Sequence, residues 1–152
     1  MPEIAPSEVR VFVLDDEPEY AQPNIDALER KRYDVVQAQS VDEAVEILEK
    51  QGTSFKVLIL DMLMPDSTSR QDRNEYSNPI ESGLKLHKQI RGKLGLVDVP
   101  IIFTSVVRDP KIRERIREEE GRYTRRANSV SFLTKPFLPM DLIERVKKVT
   151  AQ

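Results

Sequence analysis

The stretch Val57-Leu58-Ile59-Leu60-Asp61-Met62-Leu63-Met64-Pro65 decides the fold. Four apolar residues in a row, without polar alternation, predict a strand covered on both faces. The run stops on a carboxylate, so Asp61 falls at the carboxyl end of that strand. In open parallel α/β sheets, that edge is where ligands bind. Alone, Asp61 reads equally well as the start of a turn before Pro65. Its meaning depends on what other strand ends bring.

Val11-Phe12-Val13-Leu14 is a second continuous apolar run, and it too ends on acid, Asp15-Asp16-Glu17. Further strands are predicted over 33–38, 99–103, ending on Thr104-Ser105, and 131–134, followed by Lys135-Pro136-Phe137. Helices fall between them. Pro23 predicts that the first helix begins or bends there, because an interior proline removes a hydrogen bond and clashes with the preceding turn. Ile25, Leu28 and Tyr33 are placed on its buried side. Ser40-Val41-Asp42-Glu43 is a capping box. It leads into an apolar face of Val41, Ala44, Val45 and Leu48, with Gly52 as a left-handed terminator. The next helix runs from Gly83 to about Lys93, with Leu86, Ile90 and Leu94 inward and Gly95 ending it. Asp109-Pro110 opens another. Its Ile112 and Ile116 face the core, while the charged run 113–126 reads as mostly solvated and Gly121 ends or interrupts it. Pro139 opens the last helix, with Leu142, Val146 and Val149 aligned. Strands and helices alternate five times, which specifies a parallel sheet with helices on both faces. The alternation leaves strand order open.

The chain has 152 residues, enough for one domain with a core of its own. Charged residues make up 33% and nearly balance at a formal net charge of -2, so nothing pulls the whole chain toward nucleic acid or anionic membrane. Without cysteine there is neither disulfide nor thiol chemistry. No apolar run approaches the roughly 20 residues that span a bilayer. The start of the chain lacks the pattern of a secretory signal. A cytoplasmic location is the expectation. Residues 1–8 read as a loose lead, 66–82 as a polar, mobile loop insertion, and 109–131 as an enlarged fourth-helix region.

Asp15, Asp16, Asp61, Thr104 and Lys135 thus meet at one sheet edge. Clustered carboxylates would not all stay ionised without a cation. A hard divalent ion with oxygen ligands fits, and Mg²⁺ commonly shares a phosphate. Lys135 and Thr104 supply a charge and a hydroxyl for phosphoryl oxygens. Asp61 is then a carboxylate nucleophile that becomes an acyl phosphate.

In their order and at strand ends, four motifs make the chain resemble the receiver domain of two-component response regulators. They are Val13-Leu14-Asp15-Asp16-Glu17, Leu58-Ile59-Leu60-Asp61-Met62-Leu63-Met64-Pro65, Ile101-Ile102-Phe103-Thr104-Ser105 and Phe132-Leu133-Thr134-Lys135-Pro136-Phe137. The resemblance implies a flavodoxin-like doubly wound (βα)5 fold with strand order 2-1-3-4-5. It implies that Asp61 accepts phosphate from a phosphohistidine on a sensor histidine kinase or histidine phosphotransfer protein. Mg²⁺ would be held by Asp16, Asp61 and the Leu63 carbonyl, with Asp15 acting mainly through water. Thr104 and Lys135 would bind the phosphoryl group, Phe132 would swing inward when Thr104 moves, and the Lys135-Pro136 bond would be cis. Phe132 also reads as plain core packing.

The expectation is a stand-alone phosphorylation-controlled switch acting on a downstream protein target, without direct nucleic-acid contact or membrane insertion. A homodimer is left open. Such a switch is no enzyme beyond its own phosphorylation and dephosphorylation. Leu63 stands where a phosphatase of the aspartate-nucleophile type places its acid. Leu63 and Val106 flank the acyl phosphate without a polar group, which predicts slow hydrolysis. The alternative is a phosphate-independent interaction module on the same fold. His87, the one histidine, reads as a surface or boundary residue. Ala127-Asn128-Ser129 departs from the family's Ala-Gly-Ala, and Asn128 tolerates the left-handed conformation that glycine would supply.

Overall fold

The computed structural model describes residues 9–62, 79–106 and 109–151. Five strands, β1 (Arg10–Leu14), β2 (Asp34–Ala38), β3 (Phe55–Asp61), β4 (Ile101–Ser105) and β5 (Val130–Thr134), form one parallel sheet in the order β2-β1-β3-β4-β5. Five helices connect them: α1 (Pro18–Arg30), α2 (Val41–Gln51), α3 (Pro79–Lys88, widening into a π-turn over Gln89–Lys93), α4 (Pro110–Glu120) and α5 (Pro139–Thr150).

Because neighbouring strand residues point to opposite faces, each continuous apolar run feeds two cores. Phe12, Leu14, Leu58, Leu60, Ile101 and Phe103 face α2, α3 and α4. Val11, Val13, Val57, Ile59 and Ile102 face α1 and α5, meeting Ala27, Leu28, Leu142, Ile143, Val146 and Val149. Burying each such side chain contributes about 1.5–3 kcal/mol. This double burial fixes the register that brings the strand ends to one edge.

Several local expectations hold. Ser40 Oγ accepts from Glu43 N at 3.1 Å, although Glu43 Oε1 reaches back to Gln39 N rather than to Ser40 N. Asp109 caps α4 through Lys111 N at 2.9 Å. Gly95 has φ +70, Asn128 has φ 62, and Lys135-Pro136 is cis.

Other expectations are corrected. The first helix starts at Pro18 and continues through Pro23. The N–H that Pro23 lacks would have met the carbonyl of exposed Glu19, where the first turn lies open to solvent. Tyr33 follows that helix rather than lying on it, and packs half-buried against the α1/α5 core. Gly52 is right-handed, with φ -58; a Cβ there would fall 2.6 Å from Leu96 Cδ1, so close approach explains the glycine. The helix after the polar insertion begins at Pro79, a residue suited to a first helical position, and Gly83 lies within it. The fourth strand begins at Ile101, with Pro100 before it. The insertion itself, up to residue 78, lies outside the described residues, as does the lead 1–8.

The largest correction concerns His87 and the charged helix. His87 and Arg91 are fully buried, and Glu119 and Glu120 are buried. Arg91 donates to both Glu120 oxygens, Nε at 2.9 Å and Nη2 at 2.8 Å, and to the carbonyls of Leu96, Val99 and Ser129. His87 Nε2 lies 2.7 Å from Glu120 Oε1. α4 is therefore bolted to α3 at its carboxyl end by a desolvated ion pair. Burial alone would raise the Glu120 pKa, but His87, Arg91 and Ser129 lower it from 4.5 to about 2. Its folded pKa lies below the unfolded value, so its stabilisation is fully present above pH 4.5 and is lost as pH falls toward 2. Glu120→Gln, which leaves Arg91 buried without its counter-charge, is expected to destabilise the protein by about 3 kcal/mol at neutral pH. Urea unfolding should show that difference shrinking as pH falls below 4.5; a difference that is independent of pH would refute it.

Candidate functional site

The carboxyl edge of the sheet collects the predicted residues. Asp15 follows β1 directly, held by its N–H to the Ala38 carbonyl at 3.2 Å. Its Oδ1 accepts from Glu17 N at 2.9 Å, which fixes the carboxylate ahead of α1. Asp61 closes β3 and lies opposite Thr104 of β4 in the parallel register. Met62 N continues that ladder to the Thr104 carbonyl at 2.9 Å. Lys135 follows β5, its N–H donating to the Ser105 carbonyl at 2.8 Å. Asp15, Asp61, Thr104 and Lys135 are all buried, and Asp16 is half-buried.

Lys135 Nζ stands 3.2 Å from Asp15 Oδ2 and 3.4 Å from Asp61 Oδ2. Burial opposes its charge, but Asp61 and Asp15 outweigh that and its pKa lies above the ordinary lysine value of 10.5. Asp16 shows the opposite strain. Burial, then the charges of Asp15 and Glu17, raise its pKa above 3.8. One lysine thus leaves the acidic cluster short of positive charge. Asp15, Asp16, Glu17 and Asp61 each offer an oxygen within 4.8 Å of one another. That all-oxygen donor set, close packed and incompletely neutralised, fits a hard divalent cation.

Leu63, whose carbonyl the family resemblance makes a ligand, lies outside the described residues. Phe132 is buried, stacked on Phe103 at 5.9 Å between ring centroids. Arg117 and Arg113 cover its ring at 5.1 and 5.5 Å. Arg113 also donates to Thr134 Oγ1, next to Lys135. Phe132 therefore points inward and is clamped there by cations from α4.

Two contributors escaped the sequence reading. Tyr20 places its ring 4.5 Å under Lys135 Nζ, edge-on to Phe137, and its hydroxyl accepts from Phe137 N at 3.3 Å. It steadies both the lysine and the turn that carries it. Glu17 joins the acidic cluster, a role that its place in the acidic strand end does not by itself assign. Helical spacing from Pro18 could have pointed to Tyr20, had the helix been expected to start there.

Replacing Lys135 by Met removes the cation between two buried carboxylates. In metal-free buffer at pH 7, Lys135→Met is expected to cost about 3 kcal/mol in urea unfolding. A variant as stable as the parent at pH 7 would contradict the charge arrangement.

The family described as response regulator receiver domain matches residues 11–147. No curated protein sequence matches the chain. Among solved structures, the chain is similar to a response regulator receiver domain protein of Clostridium thermocellum, at 22% identity and TM-score 0.71, covering 94% of each chain. It is similar to the non-phosphorylated HemR receiver domain of Leptospira biflexa, at 22% identity and TM-score 0.70, covering 95% of each. It is also similar to the chemotaxis response regulator CheY4 of Vibrio cholerae, at 23% identity and TM-score 0.64, covering 93% of this chain and 98% of that one. With the family match running from β1 into α5 and the acids, hydroxyl and lysine on one sheet edge, the chain belongs to the response regulator receiver domain family.

Proposed function

We propose that Asp61 accepts a phosphoryl group from a phosphohistidine and that the phosphorylated protein controls a protein partner. Phosphoryl acceptance is typical of the receiver family. The observation that carries the reading here is the bridge of Lys135 between Asp15 and Asp61, with Thr104 paired to Asp61 across the ladder. An Asp61 oxygen attacks phosphorus, an O–P bond forms, and the P–N bond breaks with its electron pair left on the imidazole. Transfer of this kind depends on positioning and charge stabilisation. The β3/β4 register sets Asp61 at the edge. Lys135 is fully charged at neutral pH and can follow negative charge onto the phosphoryl oxygens. The Thr104 hydroxyl supplies a further donor.

Asp15, Asp16 and Asp61 would hold Mg²⁺, with the Leu63 carbonyl as the family's further ligand. When bound, the cation neutralises the acids and the phosphoryl oxygens together. A histidine kinase or histidine phosphotransfer protein is the donor. Phe132 is the second part of the switch. It starts inward beneath Arg113 and Arg117, so a change at Thr104 reaches α4 through Phe103, Phe132 and those guanidinium groups. A ligand state can shift such an equilibrium only by its differential contacts with the two conformations, which for a phosphoryl group on Asp61 would be those at Thr104 and Lys135.

Incubation with Mg²⁺ and a small phosphodonor should add the mass of one phosphoryl group to the intact protein, and Asp61→Asn should abolish the gain. No gain with any donor would leave the phosphate-independent module as the better reading. Val106, 61% exposed and apolar, follows β4 beside the site and gives water no orienting group. The phosphorylated protein should accordingly lose its label slowly in Mg²⁺ buffer. Val106→Asn or Val106→Gln should hasten the loss; equal decay would argue against a role for this position.

A further inference from the structure

A second charged site lies along β5, with none of Asp15, Asp16, Glu17 or Asp61 among its lining residues. Arg113 and Arg117 of α4, Arg125 and Arg126 of the following connection, and Arg145 and Lys148 of α5 line a groove of about 530 Å³. Its floor is β5, the edge strand of the sheet. Glu120 is the one acid among the lining residues, and its carboxylate is already held by Arg91 and His87. None of the six cations forms an ion pair among the described residues. Arg113 and Arg117 rest on the Phe132 ring, Arg126 donates to the Asp98 carbonyl at 2.7 Å, and Arg145 donates to the Phe132 carbonyl at 3.0 Å. Those contacts orient the guanidinium groups without neutralising them. Ser131 Oγ, also on the lining, is buried without a hydrogen-bond partner.

We propose that this groove binds a small polyphosphate, a molecule carrying two or three adjacent phosphate groups. The volume falls within the range of about 300–1,000 Å³ common to small-molecule sites. Charge density selects the ligand. A chain of two or three linked phosphates concentrates several negative charges and many acceptor oxygens in a short span, which suits six clustered cations better than a single carboxylate does. Five of the six are arginines, whose planar forks match phosphate oxygens two at a time. Ser131 Oγ can donate once a ligand brings an acceptor. Single-stranded nucleic acid is disfavoured because the aromatic ring in the groove, Phe132, is covered by arginine and offers no stacking platform. The chain's net charge of -2 gives no long-range attraction for a long polyanion either.

Inorganic tripolyphosphate and a nucleoside triphosphate serve as probes by calorimetric titration of the full chain in metal-free buffer, where phosphorylation of Asp61 cannot contribute. Saturable binding with one ligand per chain is expected. Arg125→Ala combined with Lys148→Ala, both at exposed positions, should weaken it about tenfold or more, while Lys50→Ala on α2 should leave it unchanged. Equal affinity for the two probes assigns recognition to the phosphate chain, and tighter nucleotide binding adds a base contact; either supports the site. No saturable binding at millimolar probe overturns the proposal. So does equal weakening by Lys50→Ala, or tighter binding of a single-stranded oligonucleotide or a glutamate-rich peptide. Repeating the titration with Asp61→Asn, which should bind equally well, separates this site from the phosphoacceptor, so either can fail alone.

Discussion

The molecule is organised around a surplus of negative charge at one sheet edge. Asp15, Asp16 and Asp61 converge where β1 and β3 end, and Lys135 bridges two of them. Taking such charges out of water is expensive and is tolerated only when they are paired or bind an ion. Asp16, whose pKa is driven upward by burial and its neighbours, shows that one lysine does not complete the compensation. The residual negative charge is what a divalent cation would satisfy, and that cation could in turn accept phosphoryl oxygens. The apolar strands are the means of holding it there, since burial on both faces gives them no freedom to slip.

From this edge a packed path runs outward. Thr104 and Phe103 are adjacent in β4; Phe103 stacks on Phe132 of β5; Arg113 and Arg117 of α4 lie on Phe132. Arg113 returns to the edge by donating to Thr134, the neighbour of Lys135. The carboxyl end of α4 is pinned differently, by Arg91 and His87 on Glu120. One end of the helix is thus fixed by a buried ion pair, while Arg113 and Arg117 upstream of it rest on an aromatic ring.

The opposite charge accumulates just beyond. Six cations gather over β5 within a chain of net charge -2, so acid and base are segregated rather than mixed. Arg145 also caps the Phe132 carbonyl at the sheet's outer edge, which blunts a strand that would otherwise present unpaired backbone groups.

The sequence by itself determined what depends on local pattern. Unbroken apolar runs specified doubly covered strands at β1, β3 and β4, and the acids after β1 and β3, the hydroxyl of β4 and the lysine after β5 specified the site. Ser40, Asp109, Asn128 and Gly95 announced caps and left-handed turns, because their chemistry acts within a few residues. What tertiary structure decided is whatever depends on a partner distant in the chain. Charged residues at 113–126 look solvated by composition, yet Glu120 is buried because Arg91, 29 residues away, enters the same space. His87 follows it inside. Gly52 is explained by Leu96 rather than by its own turn, and Tyr20 by a lysine brought from the far end of the chain. A side chain's periodicity records which face it occupies, but burial of a charge depends on a counter-charge that only folding supplies.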